Sequence, residues 1–358
     1  MRMSKSISII GILGGGQLGR MTAIAAEKLG IRTHIYTDER ASPTEKIAYK
    51  TTIAPYDDAA ALQKFAESVD VVSFEFENIP YKTLEILEKY VEVNPKPEVI
   101  KICQNRLREK DFVNSLGVGT APYARVSNRD ELEAAIRKIG KPSILKTTEM
   151  GYDGKGQVQI ESLLQQIELK DGVEYVLEGF VHFEKEISVI VARGKDGEVK
   201  CYEPAENIHK NHILDITISP ANISKELAQK ARDIAMKIAE GLGLVGVLAV
   251  EMFVCGDEIL VNELAPRPHN SGHHTIDSCI TSQFEQFVRA ICGLELGDVT
   301  QHSKAEMKNL IGDEIALAEK YAAEPDCFVH LYGKATAREG RKMAHVTKVG
   351  QESVVNSQ

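Results

Sequence analysis

The sequence lacks a basic excess, a Cys-x-x-Cys pair and any long apolar run. Among 358 residues, 43 Lys and Arg stand against 52 Asp and Glu, a formal net charge of −9. A nonspecific nucleic-acid binder needs a basic surface, so that class is excluded, while a local basic patch still serves for a small anion. The six cysteines, at 103, 201, 255, 279, 292 and 327, lie mostly in apolar stretches and match no zinc or disulfide spacing. They predict a reduced, cytoplasmic protein without structural zinc. No stretch reaches the roughly 18 uninterrupted apolar residues of a membrane span. Ser6–Leu13 is apolar enough to mimic a signal peptide, but it runs into three glycines and Gln17 with no small-residue cleavage site. It therefore reads as a strand. There is no internal repeat and no low-complexity tract.

What is present is enough apolar material for two or three packed domains, at 43% hydrophobic and 27% charged. The first hundred residues alternate: strands 7–13, 32–36 and 69–74, helices 17–29, 59–67 and 83–90. That rhythm predicts a parallel sheet with helices on its faces, punctuated at its end by Pro95 and Pro97. A charged helix follows over 104–116. A smaller unit comes next, with a helix over 131–139, strands over 143–147 and 174–179, and a glycine loop between the strands. Then come longer strands, 186–193, 198–203, 245–254 and 258–264, interrupted by one long helix at 225–242. The expectation is an α/β protein of three domains: 1–104, 105–183 and 184–358.

Five segments carry chemistry. Gly14-Gly15-Gly16-Gln17-Leu18-Gly19 fits G-x-G-x-x-G between a strand and a helix, with Asp38 nineteen positions beyond Gly19. This is the dinucleotide pattern, but any phosphate or carboxylate suits free amides at a helix N-terminus. Next, the apolar strand 143–147 carries Lys146 and leads into Gly151-Tyr152-Asp153-Gly154-Lys155-Gly156, a flap able to close over a polyphosphate. Without a phosphate, Lys146 reads as an unpaired cation in a buried strand. It is not a P-loop, since no Gly-Lys-Ser/Thr ends it.

The third segment is a hairpin. Strands 247–254 and 259–264 are apolar except for Glu251, Asn262 and Glu263, and a turn at Cys255-Gly256-Asp257 joins them. Glu251 and Glu263 lie symmetrically about Asp257, so they face each other with Cβ atoms about 4.5–5.5 Å apart. Two carboxylates in an apolar sheet repel and call for a cation, and an oxygen-only pair suits Mg²⁺ bridging to phosphates. The polar run Ala265–His274 follows, where Arg267, His269 and Asn270 suit a small anion; zinc ranks low there for want of a completing cysteine or carboxylate. Last, Lys334, Arg338, Arg341 and Lys342 form a basic cluster suited to a phosphate monoester, or simply a solvated face.

Together these segments resemble the ATP-grasp superfamily and, within it, the 5-(carboxyamino)imidazole ribonucleotide synthetase family of purine synthesis. The resemblance rests on Gly11–Arg20, Phe74–Asn78, Gly151–Gln157, Asn262–His273, His330–Lys334 and Gly340–Met343, and it runs over nearly the whole chain. Phe287 and Ala344 depart from the family's usual histidine and glycine. The family fold implied is ATP-grasp, with an N-terminal Rossmann-like sheet and a nucleotide site between the central and C-terminal domains. The implied reaction carboxylates the amino group of 5-aminoimidazole ribonucleotide, using ATP and bicarbonate through carboxyphosphate. By this resemblance Lys146, Glu178 and the Val181 backbone hold adenine, Glu186 takes the ribose hydroxyls, and Gly179, Phe180 and His209 also belong to the ATP site. Arg106 and Gly151–Gln157 hold the phosphates. Glu251 and Glu263 bind Mg²⁺, with Asn262 alongside. Arg267, His269, Asn270 and Lys334 act on the reacting groups. Gly16, Gln17, Leu18, Glu75, Asn78, Tyr152, Asp153, Lys334 and Arg341 hold the ribonucleotide. A homodimer is also implied. An NAD(P)-dependent oxidoreductase, another ATP-grasp ligase and a non-catalytic nucleotide binder are the competing readings; the first leaves the glutamate hairpin and the second glycine loop unexplained.

Overall fold

The computed structural model describes residues 7–151, 156–161 and 167–350. The N-terminal segment builds β1 (Ile9–Leu13), α1 (Gln17–Lys28), β2 (Arg32–Thr37), β3 (Lys50–Ile53), α2 (Ala59–Ala66), β4 (Val71–Phe74), α3 (Tyr81–Leu87) and α4 (Pro97–Cys103). Its strands form a parallel sheet in the order β3-β2-β1-β4. Both faces are covered, as an all-parallel sheet requires. Leu13, Tyr36 and Phe74 pack with Leu62 and Phe65 of α2, while Ile10, Ile12 and Ile35 face the rest of the molecule. Pro97 does not end this unit. It opens α4, because a proline at the first helical turn costs no hydrogen bond.

The next helix, α5 (Arg106–Ser115), starts where Asn105 accepts the Leu107 and Arg108 amides at 3.1 Å each. A small antiparallel sheet follows in the order β5-β8-β6-β7, from β5 (Tyr123–Val126), β6 (Ser143–Thr147), β7 (Gln157–Ile160) and β8 (Tyr175–Gly179), with α6 (Arg129–Ile139) packed on it.

The remaining chain contributes a nine-stranded sheet. Its strands are β9 (Lys185–Arg193), β10 (Val199–Cys201), β11 (Ala205–Lys210), β12 (Ile213–Ser219), β13 (Gly246–Cys255), β14 (Glu258–Ala265), β15 (Ala305–Ile311), β16 (Cys327–Leu331) and β17 (Lys342–Val349). The order is β14-β13-β9-β11-β12-β15-β17-β16, with β10 paired to β9. Among the helices here are α7 (Lys225–Gly241), α8 (Thr275–Ser278), α9 (Gln283–Cys292) and α10 (Ala318–Ala322). Alternation along β13 splits its two faces. Leu248, Val250, Met252 and Val254 pack with Ala235 and Ile238 of α7. Val247 and Ala249 pack with Phe287 and Ile291 of α9, in the core that also holds Ile10 and Ile12 of the parallel sheet. Helix α9 is thus the wedge between the parallel sheet and the large one. No helix among the described residues is long and apolar enough to cross a membrane.

Candidate active site

Where α9 no longer covers its face of the large sheet, the same alternation brings Glu251 into a cavity of about 910 Å³. Glu251 pairs with Glu263 across β13 and β14, as the sequence spacing predicts. The reason differs from that prediction. Cys255 pairs with Glu258, so the turn is the two-residue Gly256-Asp257, with Gly256 at φ +60°. That register alone sets Glu251 opposite Asn262. A bulge between Val261 and Glu263 absorbs one residue and shifts the pairing by one. Ile259 and Val261 before it, and Leu264 after it, all pack in the α7 core. Strict alternation would turn one of Asn262 and Glu263 away; with the bulge, both line the cavity.

The two carboxylates do not face each other uncompensated. Glu263 lies 3.2 Å from Arg106 Nη1, and Glu251 Oε1 lies 3.0 Å from His269 Nε2. Burial pushes the Glu251 pKa up, but the His269 contact outweighs it and holds the carboxyl at about 2. His269 is fixed in turn by Ser271 Oγ, 2.8 Å from Nδ1. Glu186 on β9 and His209 on β11, two residues beyond Glu186's register partner Asn207, pair at 2.5 Å. Burial pulls the His209 pKa down, yet the Glu186 carboxylate wins and raises it.

Helix α5 ties the small sheet to this hairpin. Arg106 also donates to the Gly151 carbonyl at 3.2 Å. Glu109 accepts the Leu264 amide at 2.8 Å, beside the bulge. Lys110, 2% exposed, sits 3.3 Å from Glu178, whose other oxygen takes Lys146 at 2.9 Å. Lys146 is therefore not the unpaired cation expected from its strand. It shares Glu178 with a second buried lysine that the sequence reading missed. The signal was available, since residues i, i+3 and i+4 of a helix share a face, here Arg106, Glu109 and Lys110.

The glycine loop holds a carboxyl group, and that group is the protein's own; burial pushes its pKa up against the pull of the two loop amides. Glu75, just past β4, accepts the Gly16 amide through Oε1 and the Gly19 amide at 2.7 Å through Oε2. A Cβ on Gly14, Gly16 or Gly19 would lie 2.5, 2.8 or 3.3 Å from a Glu75 atom. The three fingerprint glycines thus admit this carboxylate where a dinucleotide-binding loop admits a pyrophosphate. Glu75 lines the cavity, and each of its oxygens accepts one loop amide, which positions Gly16, Gln17 and Leu18 at the cavity wall. Gly16→Ala is expected to cost about 1–3 kcal/mol of stability by overpacking. With Glu75→Ala already made, the same change should cost under about 0.5 kcal/mol. Additive costs in denaturant melts would refute the interlock.

Arg267 is likewise engaged. Its Nε and Nη2 grip Glu77, the latter at 2.9 Å, and Nη1 donates to the Pro268 carbonyl at 3.1 Å. Glu77 was not singled out from the sequence, though it sits in the Phe74–Asn78 stretch. Also missed was Gln283, fully buried at the start of α9, whose amide accepts the His269 N–H at 2.9 Å and donates to the His269 carbonyl at 2.7 Å.

Of the residues expected at the site, Gly16, Gln17, Leu18, Glu75, Asn78, Arg106, Lys146, Gln157, Glu186, His209, Glu251, Asn262, Glu263, Arg267, His269 and Asn270 line the one cavity. Asp38, His273 and Lys342 join them. Gly151, Gly156, Glu178, Gly179, Phe180 and Val181 lie outside this lining, on or beside the small sheet. Lys334 and Arg341 also lie outside it; Lys334 donates to the Lys342 carbonyl at 2.7 Å, and Arg341 to the Thr336 carbonyl at 3.1 Å. Tyr152, Asp153, Gly154 and Lys155 fall outside the described residues.

Comparison with known proteins agrees with this geometry. Residues 7–104 match the ribonucleotide synthetase preATP-grasp domain, 111–284 the ATP-grasp domain, and 305–355 the phosphoribosylaminoimidazole carboxylase C-terminal domain. The chain is 44% identical to the N5-carboxyaminoimidazole ribonucleotide synthase of Bacillus subtilis, over 98% of this chain and 94% of that one. It is 45% identical to the bifunctional purine synthesis protein purC/E of Dictyostelium discoideum over 95% of its own length, and spans 37% of that longer protein. A crystal structure of an N5-carboxyaminoimidazole ribonucleotide synthetase in its ADP complex superposes with a TM-score of 0.92 at 44% identity, covering 97% of this chain and 94% of that one. With its ATP-grasp fold and the opposed glutamates beside an arginine and a lysine, the chain belongs to the N5-carboxyaminoimidazole ribonucleotide synthetase family, ATP-dependent ligases of purine synthesis.

Proposed function

We propose how this cavity carries out the family's carboxylation. ATP lies against the small sheet, its base near Lys146, Glu178 and the 179–181 backbone and its ribose near Glu186. Arg106 and the Gly151–Gln157 loop receive the phosphates. A bicarbonate oxygen attacks the γ-phosphorus, the bond to ADP breaks, and carboxyphosphate forms. The amino group of 5-aminoimidazole ribonucleotide then bonds to the carbon, losing a proton as phosphate leaves. Such chemistry is mostly positioning and charge neutralisation. The observation that carries this reading is the bulged hairpin, because it turns Glu251, Asn262 and Glu263 into the same cavity as Arg106 and Lys146.

Those three side chains offer only oxygen and amide donors, a set that fits Mg²⁺ rather than zinc. Glu251 and Glu263 would hold it, and bound there it would neutralise phosphate charge. Arg106 and His269 meanwhile hold the two carboxylates in place. Half-buried Glu77 holds Arg267 oriented at the cavity wall. We further propose domain boundaries near residues 104 and 183, a homodimer and a cytoplasmic location, on the strength of the family resemblance and the six free cysteines.

The acceptor's phosphate is assigned to Lys334 and Arg341. Burial first, then the neighbouring Arg341, pull the Lys334 pKa down to about 8. Its charge is therefore lost as the pH rises through that value. For the ribonucleotide, kcat/KM should fall over the same range, while for ATP it stays level. Arg341→Ala should raise the ribonucleotide KM at least about tenfold and leave that for ATP within about twofold. Flat pH profiles, or two constants that shift together, would return both side chains to the solvated surface.

A further inference from the structure

Two histidines meet at the edge of the large sheet, outside the lining of the cavity. His330 on β16 and His345 on β17 are register partners, and their rings stack with centroids 4.5 Å apart. Asp277 on α8 reaches the pair, its Oδ2 2.8 Å from His330 Nε2. One ligand atom from each of the three lies within 4.8 Å of the other two. His345 is fully buried. Its Nδ1 lies 3.0 Å from the Tyr332 hydroxyl, but its Nε2 has no hydrogen-bond partner among the described residues. Asn309, opposite His345 on β15, leaves its Oδ1 buried and unpartnered in the same way. Register partners place their side chains on one face of a sheet. Two orphaned atoms on adjoining residues of one buried layer call for a ligand, because folded proteins pair nearly all such atoms.

The donors name the ligand. Two imidazoles and a carboxylate suit Zn²⁺, whereas the oxygen-only pair Glu251 and Glu263 suits Mg²⁺. A metal takes the neutral imidazole, and burial, then neighbouring His273, hold the His345 pKa well below its ordinary value. With its proton on Nδ1, facing Tyr332, the ring offers a lone pair at Nε2. We propose that Asp277, His330 and His345 bind one Zn²⁺, with the fourth position left to Asn309 Oδ1 or water. The two rings now lie 13° from parallel, so their lone pairs do not converge. His330 turns about χ2 to meet the ion, which takes over its contact with Asp277. The His330 side chain is 26% exposed, which gives the ion its way in. Once bound, the ion ties β16 and β17 to α8. No cysteine takes part, so cysteine spacing carries no trace of the site.

The test titrates the full chain, stripped with a chelator and dialysed, with Zn²⁺ in a calorimeter. Excess Mg²⁺ is present throughout to occupy the oxygen-only glutamates. One Zn²⁺ per chain should bind with a Kd below about 10 µM and raise the Tm. His330→Gln changes a half-buried side chain and Asp277→Asn keeps the shape of its own, so both should fold, which melts without metal check. Each should weaken Zn²⁺ binding at least about tenfold. Cys327→Ser, in the separate group formed by Glu324, Asp326 and Cys327, should bind as the wild type does. Co²⁺ in place of Zn²⁺ should give the visible bands of a four-coordinate site in the wild type and lose them in His330→Gln. No binding at about 100 µM Zn²⁺ would overturn the assignment and leave the orphaned atoms to a buried water. Wild-type affinity in either His330→Gln or Asp277→Asn, or loss of binding in Cys327→Ser, would overturn it equally.

Discussion

Glu263→Gln is expected to lower kcat/KM by about a thousandfold, the scale of losing one preorganised charge contact at a reacting phosphoryl group. Glutamine keeps the shape of the side chain and the bulge that aims it. What it removes is half of the oxygen pair and the counter-charge of Arg106. Glu251→Gln should act similarly, since its charge is the one that His269 meets. A second readout separates chemistry from collapse. Calorimetric binding of ADP should weaken in either variant when Mg²⁺ is present and change little when it is withheld. Wild-type turnover in either variant at ordinary Mg²⁺ would remove these glutamates from the metal site.

Glu178→Ala should cost about 3–5 kcal/mol of folding stability, because it strands two lysines at a buried position. Lys110 is 2% exposed and Lys146 has a side chain 13% exposed, so neither reaches bulk water easily. The double variant Lys110→Met/Glu178→Ala should recover much of that loss, which urea melts would register. The pH dependence has a definite sign. Burial works to raise the Glu178 pKa, but Lys110 and then Lys146 overcome it and hold the carboxyl below its ordinary value. Its contribution is therefore complete above the usual carboxylate range and is lost as the pH falls through the folded value. Below about pH 4 the gap between wild type and variant should narrow. A gap that stays constant down to pH 3 would contradict the pairing.

The hairpin shows what spacing conveys and what it does not. The two glutamates were legible as partners because β13 and β14 are apolar on either side of them. The turn and the bulge were not, since a two-residue turn with one extra residue gives the same pair as a three-residue turn without it. The glycine fingerprint was found at the right strand-to-helix junction, but the group it holds is the Glu75 carboxyl, a long-range contact that no local pattern announces. Strands β11, β12, β15 and β17 escaped because their inward positions are polar: Asn207, Thr217, Asn309, His345 and Thr347 are all buried. Alternation of apolar with polar residues therefore fades there. Helix α9 was not expected from the sequence either, although Glu285 and Arg289 mark a polar face, paired at i,i+4, against eight buried residues. Glu77 and Gln283 act through Arg267 and His269, to which no local pattern ties them, and only the folded structure brings them to the site.

Product analysis with purified protein tests the central claim most directly. ATP, isotopically labelled bicarbonate and 5-aminoimidazole ribonucleotide should yield one ADP and one phosphate per labelled carboxyamino product, with no product when any one of the three is left out. ADP release that proceeds equally without the ribonucleotide and without bicarbonate, or a product that carries no label, would contradict the account.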